Sequence, residues 1–445
     1  MRSVMTTWNS GSKFVGGIQV SAQDNRLYKA FVLPNQLQVL LVSDPSTEKS
    51  AAALAVQVGH QSDPHNLPGL AHFCEHMLFL GTQKYPEETS YKTYLSAHGG
   101  RSNASTSAIA TNYYFDVATP HLFGALDRFA QFFIAPLFTE SATEREMHAI
   151  DAENAKNLMD DSRRMYQLMK SLANPAHPFH KFGTGNLDTL GVRPKALGID
   201  VRAELLAFHK KHYSANAMKL VIYGKDDLNI LEDWAIQLFS PIENKDVNPY
   251  LSGNAHPYET QQQGRYINVL PVKDLRTLEL SFPLPSMQSL YLEKPNRVLS
   301  HLLGHEGSGS LCAHLKALGV ATGVSAGLTR DYRDWSQFSV KISLTPKGLL
   351  EVPNVLNACF QYLHILNQTD AATMQKYFDE ARKINSFQFQ YQNKQAPINF
   401  VSYLTRNLQL YPVHHVASGP YIFKNYVDAN LRQVLAQLTP DRLRL

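Results

Sequence analysis

The segment GLAHFCEHMLFLGT, residues 69–82, constrains this chain more than any other. Its residues are apolar on every side and Gly81 supplies a stop, so it reads as a short helix that must be buried all round. Inside that apolar run stand three ionisable groups, His72, Glu75 and His76. The two histidines are spaced i, i+4, which projects both imidazoles from one helix face, where they can hold one cation. Glu75 lies beside them. A carboxylate within LAHFCEHMLFL is costly to desolvate without a partner, so the three groups together imply a metal. A catalytic zinc takes three protein ligands and leaves a fourth position for water, so one more ligand must come from elsewhere. Glu146 and Glu153 stand seven apart on a helix expected over 140–172, on one face and two turns from each other. Either reaches back equally well, and spacing alone leaves the choice open.

Around this helix the chain alternates strands and helices. Residues 28–42 predict two strands joined at Pro34 and Asn35, and 51–58 a third. A helix is expected over 90–97, a strand pair over RSNASTSAIATNYYFDVAT, helices over 122–138 and 201–212, then the strand YSANAMKLVIYG and a helix through Phe239. The second half replays this order: strands over 266–284, a helix ending near His305, strands through Ser343, and long helices over 349–392. The expected fold is therefore α+β, two tandem homologous domains, each a mixed, mainly antiparallel sheet packed against helices. The first covers 1–240 and carries the chemistry. A polar stretch rich in Pro, Gly and Asn over 241–264 reads as a linker, and 265–445 as the non-catalytic repeat. The final LTPDRLRL resembles YSANAMKLVIYG but stops after the first strand residues, so the repeat is expected to be truncated.

With 445 residues the chain exceeds one ordinary core, in keeping with two domains. Its 42 basic and 38 acidic residues are interleaved, without the basic stripe that nucleic acid requires. Cys74, Cys312 and Cys359 are too few and too scattered for a disulfide framework. The first thirteen residues carry charge but no apolar core of a leader, and no later run is long enough to span a membrane, so a cytoplasmic location is expected.

HFCEHMLFLGT is the inverted zinc motif H-x-x-E-H, and the chain resembles the N-terminal half of the insulysin and pitrilysin type peptidases. The segments SNASTS, TNYYFDV, ALDRFAQFF, NPAHPFHKFGTGNLDTL, KKHYSAN and GHEGSGSL carry the likeness along nearly the whole length. The resemblance implies one zinc ion per chain held by His72, His76 and Glu153, with Glu75 as general base and Glu146 orienting the site. It implies a metalloendopeptidase acting on oligopeptides and small proteins. Asn103 and Ala104 match an edge strand that pairs with substrate, and Phe79 and Tyr114 match the pocket beyond the scissile bond. Ser105 stands where insulysin has an aromatic. In the second domain His301, Gly304, Glu306, Val324, Ser325 and Ala326 match a site that anchors the substrate's N-terminal end. Full-length relatives are about twice as long, so a missing C-terminal half or a partner subunit is implied. The alternative is a weakly active or inactive zinc- and peptide-binding module, or one subunit of a two-chain processing peptidase. Modifying Cys74, inside the motif, is expected to crowd the site.

Overall fold

The computed structural model describes residues 2–3, 13–14, 17–249 and 256–445. Most of the N-terminal stretch read for a leader, and residues 250–255 of the expected linker, lie outside the described residues.

One compact unit comprises Met1–Ser171, Pro178–Gly253 and Asn393–Ser418. Its sheet has seven strands in the spatial order Lys13–Phe14, Leu27–Val32, Gln38–Ser43, Met218–Gly224, Lys49–Val56, Thr111–Ala118, Arg101–Thr106. Every neighbouring pair is antiparallel except Gln38–Ser43 with Met218–Gly224. The period of two in strand side chains sorts the apolar residues onto both faces. From Lys49–Val56, Ala52, Leu54 and Val56 enter one core while Ala51 and Ala53 enter the other. Among the described residues Arg101–Thr106 pairs on one side only, so its other row of backbone N–H and C=O groups is a free sheet edge.

Five helices follow the first strands: α1 (Leu70–Met77), α2 (Ser90–Ala97), α3 (Leu122–Ile134), α4 (Glu140–Asn157) and α5 (Asp161–Ser171). The larger core takes Phe129, Phe132 and Phe133 from α3 and Leu70, Phe73 and Met77 from α1. Each such buried phenylalanine contributes roughly 1.5–3 kcal/mol. The smaller core, on the other face of the sheet, is closed by helix Pro397–Leu410 through Phe400, Val401, Leu404 and Leu408.

The single helix expected over 140–172 is two. The Asp160 carboxylate accepts from the Arg163 N–H at 2.9 Å, and the Asp160 carbonyl accepts from the Arg164 N–H at 2.9 Å. Asp160 is thus a fresh N-cap from which α5 starts.

The second unit comprises Leu172–His177, Asn254–Gln392 and Gly419–Leu445. Its sheet is antiparallel, in the order Thr277–Pro285, Trp335–Leu344, Ala321–Asp331, with helices Pro295–Leu303, Val352–Gln368 and Ala371–Gln390 packed on it. The strand expected over 266–284 begins only at Thr277. LTPDRLRL forms a 3-10 turn at Pro440–Arg442, after which Arg444 exchanges two backbone hydrogen bonds with Ser281, both 2.9 Å. Both sheets are rich in antiparallel pairs and covered by helices, the α+β class read from the sequence. The boundary runs differently from 1–240 and 265–445, because helix Pro397–Leu410 belongs to the first unit. Its apolar face supplies the cover that the back of the first sheet needs.

Candidate metal centre

The start of α1 is built by two glycines and an aspartate. Gly69 adopts φ 99°, a left-handed conformation natural to glycine, and a Cβ there would lie 2.3 Å from the Gly185 Cα. The buried Asp63 carboxylate caps the helix, accepting from the N–H of Gly69 at 2.7 Å and of Ala71 at 2.8 Å. Leu70, Ala71, Phe73, Cys74 and Met77 then enter the core. The remaining face turns His72, Glu75 and His76 into a cleft of about 470 Å³.

Hydrogen bonds fix which nitrogen of each imidazole is bare. His72 Nδ1 lies 2.7 Å from the Thr184 carbonyl, which can only accept, so Nδ1 carries the proton. His76 Nδ1 donates to Glu146 Oε1 at 2.6 Å. In the neutral rings that zinc binding requires, both Nε2 atoms point lone pairs into the cleft, 3.2 Å apart, with the rings edge to face at 83°. Glu153 Oε2 completes the set, 3.6 Å from each Nε2. Three electron-rich atoms at these separations repel one another unless a proton or a metal cation sits among them. Donors roughly 2.0–2.2 Å from one tetrahedral zinc ion stand about 3.3–3.6 Å apart. The observed triangle, with edges of 3.2, 3.6 and 3.6 Å, fits that ion.

The same geometry separates the two glutamates that spacing left equivalent. Both lie on α4, but Glu146 meets the Nδ1 side of His76 and Glu153 the Nε2 side. Burial works against a charged His76, yet Glu146 and Glu153 outweigh it and push its pKa up to about 9. In return His76 holds both carboxyls below their ordinary range, Glu146 through the hydrogen bond and Glu153 through its closeness to the ring. Glu75 is 6% exposed, and burial pushes its carboxyl up against the lowering effect of His72 and of Thr106. The Thr106 hydroxyl donates to Glu75 Oε2 at 2.5 Å.

Asn103, Ala104, Ser105 and Thr106 of the free edge strand line the cleft, as do His60, Lys170 and Thr184. Phe79 and Tyr114 do not. Phe79 lies past the end of α1 among Tyr91, Tyr113 and Phe132, with ring centroids 5.2–6.1 Å away. Strand alternation turns Tyr114 to the opposite face, against the smaller core. In the second unit, His301 and Gly304 end helix Pro295–Leu303, which packs on the edge strand holding Val324, Ser325 and Ala326. Glu306 pairs with Lys316 at 3.0 Å. Whether modified Cys74 would crowd the site depends first on access to its thiol, and its surroundings restrict that access. The residue is fully buried, and burial pushes its thiol up to about 12, which removes the reactive thiolate.

Sequence reasoning missed Thr106, Thr184 and Asp63. Thr184 acts through its carbonyl, which no side-chain pattern reveals. Asp63 sits six residues before Gly69, the residue that precedes the helix, too far for the usual capping signature.

Three consecutive family models match the chain: "Insulinase (Peptidase family M16)" over residues 38–176, "Peptidase M16 inactive domain" over 200–385, and "Middle or third domain of peptidase_M16" over 389–445. The insulin-degrading enzyme of Homo sapiens is 43% identical over 438 residues, covering 98% of this chain and 43% of that protein. The A-factor-processing enzyme of Saccharomyces cerevisiae is 46% identical over 427 residues, covering 95% and 41%. The crystal structure of pitrilysin superposes with a TM-score of 0.92 at 33% identity, covering 98% of this chain and 46% of that one. The chain thus spans less than half the length of each of these relatives. Their likeness extends from the first strands to the last residues matched, and with it the chain belongs to the insulinase family of peptidases, alongside pitrilysin.

Proposed function

We propose that this chain hydrolyses peptide bonds as a zinc-dependent endopeptidase, with His72, His76 and Glu153 as ligands of one zinc ion, Glu75 as general base and Glu146 orienting His76. The observation that carries the reading is the convergence of three bare donors, 3.2–3.6 Å apart, beside a buried carboxylate and a free strand edge. Zinc, when bound, lowers the pKa of a coordinated water to about 7 and polarises a carbonyl.

The protein's own groups do the rest. Glu75 takes a proton from the attacking water and later delivers it to the leaving amine nitrogen. The Thr106 hydroxyl occupies Glu75 Oε2, which fixes the carboxylate and leaves Oε1 for the water. Glu146 keeps the His76 proton on Nδ1, and the Thr184 carbonyl does the same for His72, so both Nε2 atoms remain donors. The free edge of Arg101–Thr106 pairs with an extended peptide as an added strand, with Asn103 and Ala104 at its centre. The names of the relatives, insulin-degrading and A-factor-processing enzymes, point to peptides and small proteins as substrates. In the second unit, the edge strand around Val324, Ser325 and Ala326, with His301, Gly304 and Glu306, is proposed to hold a substrate's N-terminal end.

The chain's share of its relatives' length, 41–46%, supports a second reading in which it binds zinc and peptide but turns over only with another polypeptide. A fluorogenic peptide assay with and without chelator, alongside zinc analysis, tests both. Cleavage that needs about one zinc per chain and disappears in Glu75→Gln, with zinc retained, supports the endopeptidase. Stoichiometric zinc without cleavage selects the second reading. Cleavage that survives in Glu75→Gln overturns the assignment of the base.

A further inference from the structure

Helix α5 gives the cleft a wall whose charge the proposed chemistry leaves unused. Arg163, Tyr166, Gln167 and Lys170 all line the cleft. They are spaced three, four and seven apart, which makes one stripe along the helix, roughly 10 Å long. Arg164 lines the cleft beside them.

The charges along this stripe are one-sided. Glu75 and Glu153 are the acidic residues in the lining, and both belong to the metal centre. The basic ones are Arg163, Arg164 and Lys170. Arg164 is neutralised by Asp161 at 2.9 Å. Arg163 is exposed, and among the described residues its guanidinium has no ion-pair partner, although its charge is felt at Glu153. Lys170 is 1% exposed, so its ammonium is set into the dry part of the wall. It donates to His60 Nε2 at 2.9 Å, an imidazole that burial together with Lys170 holds neutral, and its charge is also felt at the buried Asp63 carboxyl, which burial pushes up to about 7 and so offsets the ammonium only in part. A cleft walled by cations in low dielectric concentrates their field on whatever enters. The guanidinium of Arg163, at the open end of the stripe, presents the planar fork that takes a carboxylate through two parallel hydrogen bonds.

We propose that the α5 wall binds a carboxylate of the peptide substrate beside the scissile bond, with Arg163 as the direct contact and Lys170 as the buried source of field. The proposal rests on the reading that the cleft takes peptides, and it makes acidity near the cleavage point a determinant of selection. Ser105, a small residue lining the same cleft, leaves room for the bound side chain.

The test uses the full chain carrying Glu75→Gln, loaded with zinc, so that binding is read without turnover. Fluorescent peptides, acetylated and amidated, carry Glu, Gln or Lys at each of the central positions in turn, and binding is followed by anisotropy. An arm with Gln at those positions and a free C-terminal acid distinguishes a side-chain carboxylate from a chain terminus. At one position the Glu peptide, or else the free-acid peptide, is expected to bind roughly tenfold tighter than the neutral one, as for a charge-assisted hydrogen bond, and to weaken with salt. Arg163→Ala removes that preference and Arg163→Glu turns it toward Lys, with zinc content unchanged as the check on folding. Equal binding of all the peptides by the unmodified wall overturns the proposal and leaves the peptidase reading standing. So does a carboxylate preference that survives Arg163→Glu. Failure of every peptide to bind overturns both.

Discussion

Glu146→Gln sets two effects of one carboxylate against each other, and the structure gives the size of each. In the proposed zinc site the Glu146 carboxylate, 2.6 Å from His76 Nδ1, would make the ring a stronger ligand, and loss of such a partner weakens metal binding roughly 10–100-fold. It also helps hold a proton on the metal-free His76, pushing the pKa up to about 9. At pH 7 zinc must displace that proton, which costs roughly hundredfold in apparent affinity, or about 2.7 kcal/mol. The folded pKa lies above the ordinary value of 6.5. The proton therefore stabilises the metal-free chain fully below about pH 6.5, and this is lost as pH rises through about 9. Zinc binding strengthens in the opposite sense.

In Glu146→Gln the amide oxygen still accepts from Nδ1, so the tautomer survives while the charge is lost. Nearly the full 10–100-fold weakening is expected at pH 9.5, where little proton competition remains. At pH 7 proton competition is relieved at the same time, and the loss shrinks to about tenfold or less. The assay is competition against a chromogenic chelator calibrated at both pH values. Calorimetry in buffers of different ionisation enthalpy counts the protons released, close to one per zinc for the unmodified chain at pH 7 and fewer at pH 9.5. An equal loss at both pH values, or a larger one at pH 7, refutes the account of Glu146.

Thr106→Val deprives the buried Glu75 of its 2.5 Å donor and is expected to destabilise the folded chain by roughly 1–3 kcal/mol, read as a lower urea midpoint. An unchanged midpoint means the hydroxyl does not support that carboxylate. Cys74, buried with its thiol pushed up to about 12, resists iodoacetamide in the native chain and reacts once urea unfolds it. Rapid native labelling, located by mass spectrometry, contradicts this burial.

Local signals made much of the fold legible. The helices over 90–97 and 201–212 lie where the pattern puts them, since Ser90–Ala97 and Val201–His212 have clear apolar faces and polar flanks. The break between α4 and α5 escaped because good helix formers run through it, and only the competition of the Asp160 carboxylate for backbone N–H groups interrupts them. The centre was legible in its α1 part for a related reason, the cost of three ionisable groups in an apolar run. Glu146 and Glu153 are distinguished by which edge of an imidazole each meets, and this depends on how α4 crosses α1 rather than on either sequence. Thr184 lies 112 residues from the histidine it orients, so the loop that carries it becomes visible only in three dimensions.

Helix Pro397–Leu410 has a consequence for the order in which the chain can fold. Met218–Gly224 enters the middle of the first sheet, between strands that are more than 160 residues earlier, and the back of that sheet is covered in large part by Phe400, Val401, Leu404 and Leu408, beyond residue 396. Contacts so distant along the chain carry a large loop-closure cost before they contribute, and they form late. A ribosome-bound chain that has emerged to residue 240 already holds His72, His76 and Glu153, the donors of the proposed metal centre. It still presents Leu40, Val42, Ala51, Ala53, Val221 and Tyr223 to water on the unfinished face. Zinc can therefore bind while that face is open, and the metal would hold the front of the sheet together during the interval before its back is sealed.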